Sequence, residues 1–442
     1  MATKRWTGSA SPRPQIDTIT LAGTWLATET ITLTIADQSA VITIGTLTTV
    51  TQVATTVVEA INTGSFTDTS ASMNVGGALK SKLGAFAELT ATSSAGVVTL
   101  TGNASGKPFD ITVAETSTGG TATLLSDGTG DSQLASGPNW YSEGDNWSDG
   151  SVPADNDDIV FDAGSVDCLY GLETSSIEPL SVTIYQGYTG KIGLEEINTD
   201  NSSLPYMEDQ PTYLKFTEAG GVPATTTISI GEGTGSGSSR IKLDLNDVTQ
   251  AAVTIYNTGT ASTGHAVYLK GPSTTTSTID ILDGSVGLAY YESETADFRG
   301  GITTGGNPSS LNLTIGNGCT CTTIDIAGGT VNCFSSNPTG TEVITQTGGT
   351  LYLDQGTWST IDLWGGTQRW GDVTATAFNI GSATLDCATD LRAKVVTTGT
   401  AYRGATINDP HAKITITAFY VTGCSIADIT LDLGTSQQLI TS

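Results

Sequence analysis

Three acidic side chains stand close together in the second half of the chain, at Glu292, Glu294 and Asp297. Two carboxyl groups on one face can divide the hydrolysis of a glycosidic bond between them, because one protonates the leaving oxygen while the other acts as nucleophile or base. A solvated loop on an acidic protein produces the same pattern without any chemistry. We therefore predict no catalytic residue, and keep these acids as glycan-binding residues of an alternative hypothesis.

Three tryptophans, Trp358, Trp364 and Trp370, follow one another at intervals of six residues. They can pack as an aromatic column inside the protein, or line an exposed face as a sugar-binding strip. Packing is the preferred interpretation. The strip belongs, with the acidic cluster, to the alternative in which the protein binds host glycans.

Other catalytic or metal-binding patterns are weak. The histidines His265 and His411 neighbour no Ser–Gly elbow and no cysteine, which argues against nucleophilic catalysis. The six cysteines form no Cys-x-x-Cys pair and are predicted to be small buried hydrophobic residues. The run from Asp155 to Asp158 could hold Ca²⁺, but it lacks the glycine and final glutamate of an EF-hand loop, so a hydrogen-bonded turn is preferred. We predict no cofactor and no metal site.

The composition indicates a mainly β protein. Only 14% of the residues are charged, Gly reaches 53, and the apolar residues occur in short alternating runs of Ile, Val and Leu. The 44 acidic and 17 basic residues leave a net charge of −27, which repels nucleic-acid backbones. No apolar run approaches the roughly 18 residues that span a bilayer. We expect neither direct nucleic-acid binding nor membrane insertion.

Residues 1–15 form a basic N-terminal arm in this interpretation, because Lys4, Arg5 and Arg13 come before the first acid, Asp17. The arm, with Trp6, is predicted to bind an acidic partner surface, and a frayed terminus is the alternative. The segment lacks the apolar core of a signal peptide, so we expect folding in the cytoplasm.

Residues 16–125 are predicted to be a small α+β docking domain. A strand over Thr30–Ile35 precedes the best helical segment of the chain, Thr48–Asn62, whose apolar positions recur every three or four residues and which Gly64 ends. Residues 126–154, rich in Gly, Ser and Thr, read as a linker and the start of a solenoid.

Residues 155–442 are predicted to be a right-handed, single-stranded parallel β-helix. Short alternating strands run repeatedly into glycine pairs, and Gly329, Gly349 and Gly366 are separated by 20 and 17 residues. Such a drifting period suits one turn of a β-solenoid. At about 20 residues a turn, the region would make about 14 turns.

Several segments resemble phage proteins. ITLTI, TTVTQVATTVVEAIN, VVTLTG and GKPFDITV resemble a small domain of tailed-phage structural proteins, and NWSDGSVPADNDDIVFD resembles the opening of bacterial and phage β-solenoids. YGLETSSIEPLSVTIYQGYTGKIGL and ISIGEGTGSGSSRIKLDL resemble uncharacterised phage and prophage proteins. The resemblance implies a tailed-bacteriophage virion structural protein and brings no catalytic residues.

The expected function is therefore mechanical and non-enzymatic. We expect a capsid-associated decoration, cement or head-projection protein, located in the virion, with the major capsid protein as partner. A homo-oligomer, most simply a trimer, would cover the exposed end of the solenoid. A tail fibre or tailspike that binds or cleaves host glycans is one alternative. A bacterial surface adhesin is another, which the missing signal peptide disfavours.

Overall fold

The structure is a computed structural model that describes residues 2–75, 84–174, 177–199, 205–217, 225–272, 277–290, 298–305, 310–335 and 341–434. Strands hold 48% of the residues and helices 6%, which confirms the mainly β prediction. The described strands belong to two assemblies, a parallel β-solenoid and a smaller antiparallel unit near the N-terminus.

The antiparallel unit, called here the N-terminal unit, lies between residues 16 and 125. It contains two four-stranded sheets and one helix over a shared apolar core. In spatial order, the strands of one sheet are Leu89–Ser94, Val97–Gly102, Ile16–Gly23 and Gly120–Leu125, and those of the other are Ser72–Val75, Gln38–Thr43, Thr30–Ile35 and Ile111–Glu115.

The helix of this unit runs over Val50–Asn62, within two residues of the predicted segment. Its apolar stripe is buried against the sheets, because Val53, Val57 and Ile61 recur at helical spacing. Just after the helix, Gly64 adopts φ +64° and donates its N–H to the carbonyl of Glu59 at 2.9 Å. The predicted glycine stop is confirmed. A 3₁₀ turn over Gly84–Glu88 also packs on this core.

The solenoid contains two parallel ladders of strands. The first ladder comprises Thr3–Arg5, Asp158–Phe161, Ser181–Tyr185, Thr226–Glu232, Ala251–Ile255, Ser277–Ile281, Phe298–Thr304, Cys319–Ile326, Val343–Gln346, the C-terminal parts of Thr350–Leu363 and Thr367–Ile380, Lys394–Ala401 and Ile414–Val421. The second comprises Leu214–Thr217, Ile241–Asp247, Val267–Lys270, Ser285–Leu288, Asn312–Ile315, Thr330–Cys333, the N-terminal parts of the same two long strands, Thr384–Asp386, Thr406–Asn408 and Thr430–Asp432. Short 3₁₀ turns at Gly144–Asn146 and Ile426–Asp428 lie at its two ends.

The solenoid makes about 11 turns, which confirms the fold but not the expected number of about 14. The estimate was too high because several turns carry long excursions. One of them contains the antiparallel hairpin formed by Ile197–Asn198 and Tyr206–Met207.

Alternation along each strand fills the interior of the solenoid. Ile279, Ile302, Ile324, Ile344 and Ile361 are register partners in successive turns, and each is at most 2% exposed. Every strand is thus held by its neighbours' backbone groups and by a continuous column of apolar side chains.

The predicted glycine repeat marks one corner of the coil. Gly329, Gly349 and Gly366 adopt φ of +77°, +70° and +78°, a region that disfavours other residues. A Cβ atom on Gly349 would lie 2.5 Å from the carbonyl oxygen of Gly329. Successive backbones therefore approach too closely there for a side chain, and the spacings of 20 and 17 residues each correspond to one turn.

The N-terminal residues are not a free arm, which corrects the prediction for residues 1–15. Thr3–Arg5 pairs in parallel with Asp158–Val160 and is the first strand of the solenoid. Lys4 is 5% exposed and its Nζ lies 2.6 Å from Asp149 Oδ2, while Arg5 pairs with Asp162 at 2.9 Å. The charges that suggested an external acidic partner are met by acids of the same chain.

The N-terminal unit is consequently an insertion between the first two strands of the solenoid. The chain leaves after Trp6, forms the unit, and returns through residues 126–154. Those returning residues are packed rather than a loose linker, since Arg13 bridges to Ser136 and Ile16 to Gln133 in antiparallel fashion. The indole rings of Trp6 and Trp147 meet edge to face at 5.3 Å and close the first turns over an aromatic cluster.

Candidate functional site

The acidic cluster singled out in the sequence, Glu292, Glu294 and Asp297, lies outside the described residues. The glycan hypothesis therefore depends, within the described chain, on the three tryptophans.

The tryptophans do not form an exposed strip. Trp358 and Trp370 are 0% exposed and point into the solenoid, whereas Trp364 is 40% exposed at a corner. The ring of Trp364 lies 5.3 Å from that of Tyr402, over Gly381. The packing interpretation is confirmed for Trp358 and Trp370, and a strip of all three is wrong because alternation turns two of them inward.

The aspartates at residues 155–158 serve as turn acceptors. Asp157 accepts hydrogen bonds from the backbone N–H of Ala2 at 2.7 Å and of Ala154 at 3.1 Å. Asp155 accepts from the N–H of Glu178 at 3.0 Å, which ties neighbouring turns together. Among the residues that the structure describes, no group of three or more His, Cys, Asp or Glu is placed to hold a metal ion.

His265 sits in a hydrogen-bonded bridge across three turns. Its Nδ1 lies 2.9 Å from Ser285 Oγ and its Nε2 lies 2.9 Å from Thr314 Oγ1. Burial lowers the pKa of the imidazole to about 4, so the ring is neutral at physiological pH. Both nitrogens are engaged by hydroxyls, an arrangement that joins strands of the second ladder and differs from a nucleophile–base–carboxylate triad.

The cysteines behave as predicted from the sequence. Five of the six are buried, Cys424 is half-buried, and all are free thiols. Burial raises the pKa of the Cys168 and Cys333 thiols well above the usual value, which disfavours the reactive thiolate.

The largest concave feature that we find is a cleft where the N-terminal unit meets the solenoid, named here the junction cleft. It consists of two adjoining cavities of about 450 and 560 Å³ that share Asp110 and Gln210. Asp17, on strand Ile16–Gly23, lines the first cavity, and Glu208 and Asp209, just after the solenoid hairpin, line the second.

The hairpin holds the two walls of the cleft together. Tyr206 is 4% exposed and packs in the apolar core of the N-terminal unit, where its hydroxyl contacts the Glu88 carboxylate. The N–H of Met207 donates to Asp37 Oδ1 at 3.3 Å, and that of Asp110 donates to Asp209 Oδ2 at 3.3 Å. These contacts fix the carboxylates of both walls relative to one another.

Asp17 is the most unusual group in the junction cleft. It is 0% exposed, and Gln15 Nε2 donates to its Oδ2 at 3.0 Å, while its Oδ1 has no hydrogen-bond partner among the described residues. Burial, with a further contribution from Asp110, raises the pKa of Asp17 to about 6, although the Gln15 hydrogen bond lowers it. Above that pH the site holds a buried anion with one unpaired oxygen, which is unfavourable.

Glu208 shows the same effect in the second cavity. Burial raises its pKa to about 7, and the neighbouring Asp209 adds to the shift. The hydrogen bonds from Asn198 Nδ2 at 3.0 Å and from the N–H of Gln210 at 3.2 Å act in the opposite direction. The cleft therefore concentrates negative charge that its own residues do not fully compensate.

Replacement of Asp17 by asparagine is expected to change the pH dependence of stability. Because the folded-state pKa is raised from 3.8 to about 6, the contribution of Asp17 to stability is complete below pH 3.8 and is lost as the pH rises to about 6. Asp17→Asn should thus gain stability relative to the wild type as the pH rises from 5 to 7, and keep that gain at pH 8. Urea unfolding at each pH measures it.

Asp110→Asn is the matched control, since Asp110 is exposed and raises the pKa of Asp17. It should move the pH at which the wild type loses stability downward. Parallel pH profiles for wild type and Asp17→Asn would contradict the assignment.

No single stretch of sequence indicated this cleft, because its acids come from segments between residues 17 and 209. None of the helices in the described ranges is long and apolar enough to cross a membrane. Comparison with protein-family models, with curated proteins and with solved structures finds no match to this chain.

Proposed function

We propose that this chain is a non-catalytic structural protein of a bacteriophage virion, in which the solenoid covers or projects from the particle surface and the N-terminal unit docks it. The observation that carries the proposal is the continuity of the two ladders, which connect Thr3 to Asp432 through successive strand pairs. Backbone hydrogen bonds along the axis and a single apolar column make such a rod resistant to local unfolding.

The firm attachment of the N-terminal unit supports a docking role. Two chain crossings join it to the solenoid, one on each side of the insertion, and the buried Tyr206 adds a third contact. The indole N–H of Trp140 also donates to the carbonyl of Gly106 at 2.7 Å. A unit held in this way sets the direction of the rod once it binds a surface.

A capsid location, with the major capsid protein as partner and a trimer as the assembly, is the specific form that we favour. Its support is the last described turn, where Ile416, Phe419 and Leu431 pack on the core yet stay only half-buried. Apolar side chains at a solenoid end favour burial against another subunit. The resemblance of the sequence to phage proteins supports the same placement.

A tail-fibre role that includes glycan binding retains one supporting observation. The exposed ring of Trp364, supported by Tyr402 across Gly381, offers a single aromatic platform at a corner of the rod. Isolated aromatic platforms can stack on sugar rings. The evidence for this second candidate is narrower than the continuous architecture that supports the first.

Cryo-electron microscopy of purified particles that carry a tagged form of the chain tests the proposal. Rod-shaped density that repeats over the capsid lattice is the expected result. Density confined to the tail tip would overturn the capsid placement in favour of the tail fibre. Absence of the tagged chain from purified particles would overturn the virion role itself.

A further inference from the structure

We infer that the junction cleft is a docking site for an extended, lysine- or arginine-containing segment of a partner protein. The inference reverses the charge relationship suggested by the sequence, since the basic N-terminal residues are neutralised within the chain. It concerns the chemistry of the cleft and holds whether or not the partner belongs to a virion.

The charge of the cleft is the first step. Arg13 is the one basic side chain among the residues that line the two cavities. Seven acids line them: Asp17, Asp110, Glu143, Glu173, Glu196, Glu208 and Asp209. Walls that focus one sign of charge attract and hold ligands of the opposite sign.

Asp17 supplies the second step, because it is a buried acceptor that faces the cleft without a full set of partners. Its Oδ1 is unbonded while Gln15 holds Oδ2 in place. An ammonium or guanidinium group at this oxygen would provide the missing donor and also offset the repulsion from Asp110. A neutral hydroxyl would provide the donor alone, so the cationic ligand is favoured.

The apolar part of the first cavity suits the stems of the same side chains. Trp140, Phe109 and Leu134 line it, and Leu134 is 55% exposed. The indole N–H of Trp140 is already bonded to Gly106, which leaves its ring for contact with a methylene chain or a cation. Lysine and arginine combine an apolar stem with a charged end, as these walls require.

The size of the cleft favours a peptide over a small amine. The two cavities, of about 450 and 560 Å³, adjoin at Asp110 and Gln210, and their acids are distributed over both. Each cavity alone falls within the volume that usually accommodates a drug-sized ligand. Several basic side chains along one backbone can fill both at once.

Calorimetric titration of the purified protein with a peptide of alternating lysine and serine tests the inference. We expect saturable binding that weakens as salt rises, and no binding of the matching glutamate–serine peptide. Asp17→Asn and Glu208→Gln should each weaken binding about tenfold or more. Asp325→Asn removes the same charge from an exposed position on the solenoid and should change the affinity less than about twofold.

Three results would overturn the inference. Equal losses in Asp17→Asn and Asp325→Asn would assign the binding to the overall charge of −27 rather than to the cleft. Spermine binding as tightly as the peptide, and displacing it, would make the cleft a small-amine site. Undetectable peptide binding at low salt would refute docking altogether, and none of these results would alter where the chain is found on a particle.

Thermal unfolding of each variant accompanies the titration. Because asparagine and glutamine keep the size of the replaced side chains, both variants should unfold at or above the wild-type temperature near neutral pH. If Asp17→Asn failed to fold, Glu208→Gln, on the opposite wall, would decide the outcome by itself.

Discussion

Replacement of Trp370 by alanine should lower the free energy of unfolding of the solenoid by about 3–5 kcal/mol. Trp370 is 0% exposed, and its ring meets that of Phe378 edge to face at 4.7 Å. Its indole N–H donates to Gln368 Oε1 at 2.8 Å in the interior. The alanine variant would leave both a cavity and an unpaired buried acceptor, and each is costly. Urea denaturation followed by circular dichroism measures the loss.

Trp364→Ala is the matched control for this prediction. It removes the same side chain six residues earlier in the sequence, at a corner where the ring is 40% exposed. Its cost should stay below about 1 kcal/mol, because water already reaches much of the ring and only the contact with Tyr402 is lost. Similar losses in the two variants would contradict the buried position assigned to Trp370.

The pair of variants also shows why spacing alone could not decide the role of these tryptophans. An interval of six residues keeps side chains on one face of a continuous strand, but Trp364 lies between the two long strands, at a corner. The alternating runs and glycine pairs, in contrast, predicted the solenoid well, because close backbone approach at Gly349 leaves room for no other residue.

The first residues show a different limit of sequence reasoning. Three basic residues before any acid suggested an external partner, yet Lys4 lies in a three-residue strand and meets Asp149. The two residues are 145 positions apart, so their ion pair depends on the solenoid having formed. A very short strand with charged residues carries too little alternation to be predicted.

The junction cleft was unpredictable for a related reason. Asp17 reads as an ordinary polar residue at the start of a strand, and Glu208 as part of a loop. Only the docking of the hairpin, through Tyr206, against the N-terminal unit brings their walls together. An insertion between two turns of a solenoid thus creates a concave surface that neither part has alone.

Replacement of Asn146 by alanine should destabilise the attachment of the inserted unit by about 2–4 kcal/mol. Asn146 is 0% exposed, and its Oδ1 accepts the N–H of Ala10 at 2.8 Å, on the chain that leads into the unit. Its Nδ2 donates to the carbonyls of Gly137 and Trp140, both at 2.8 Å, on the chain that returns. One side chain therefore ties together the two crossings, and alanine would leave the buried N–H of Ala10 without its partner.

Limited proteolysis and thermal unfolding measure this effect together. Asn146→Ala should be cleaved faster between residues 126 and 154 and unfold at lower temperature, because the crossings then open more often. Asn103→Ala is the control, since Asn103 is exposed and its Nδ2 bond to the carbonyl of Ala87, at 2.8 Å, can be replaced by water. Unchanged cleavage in Asn146→Ala would mean that the aromatic contact of Trp6 with Trp147 holds the crossings by itself, and that the buried amide contributes little.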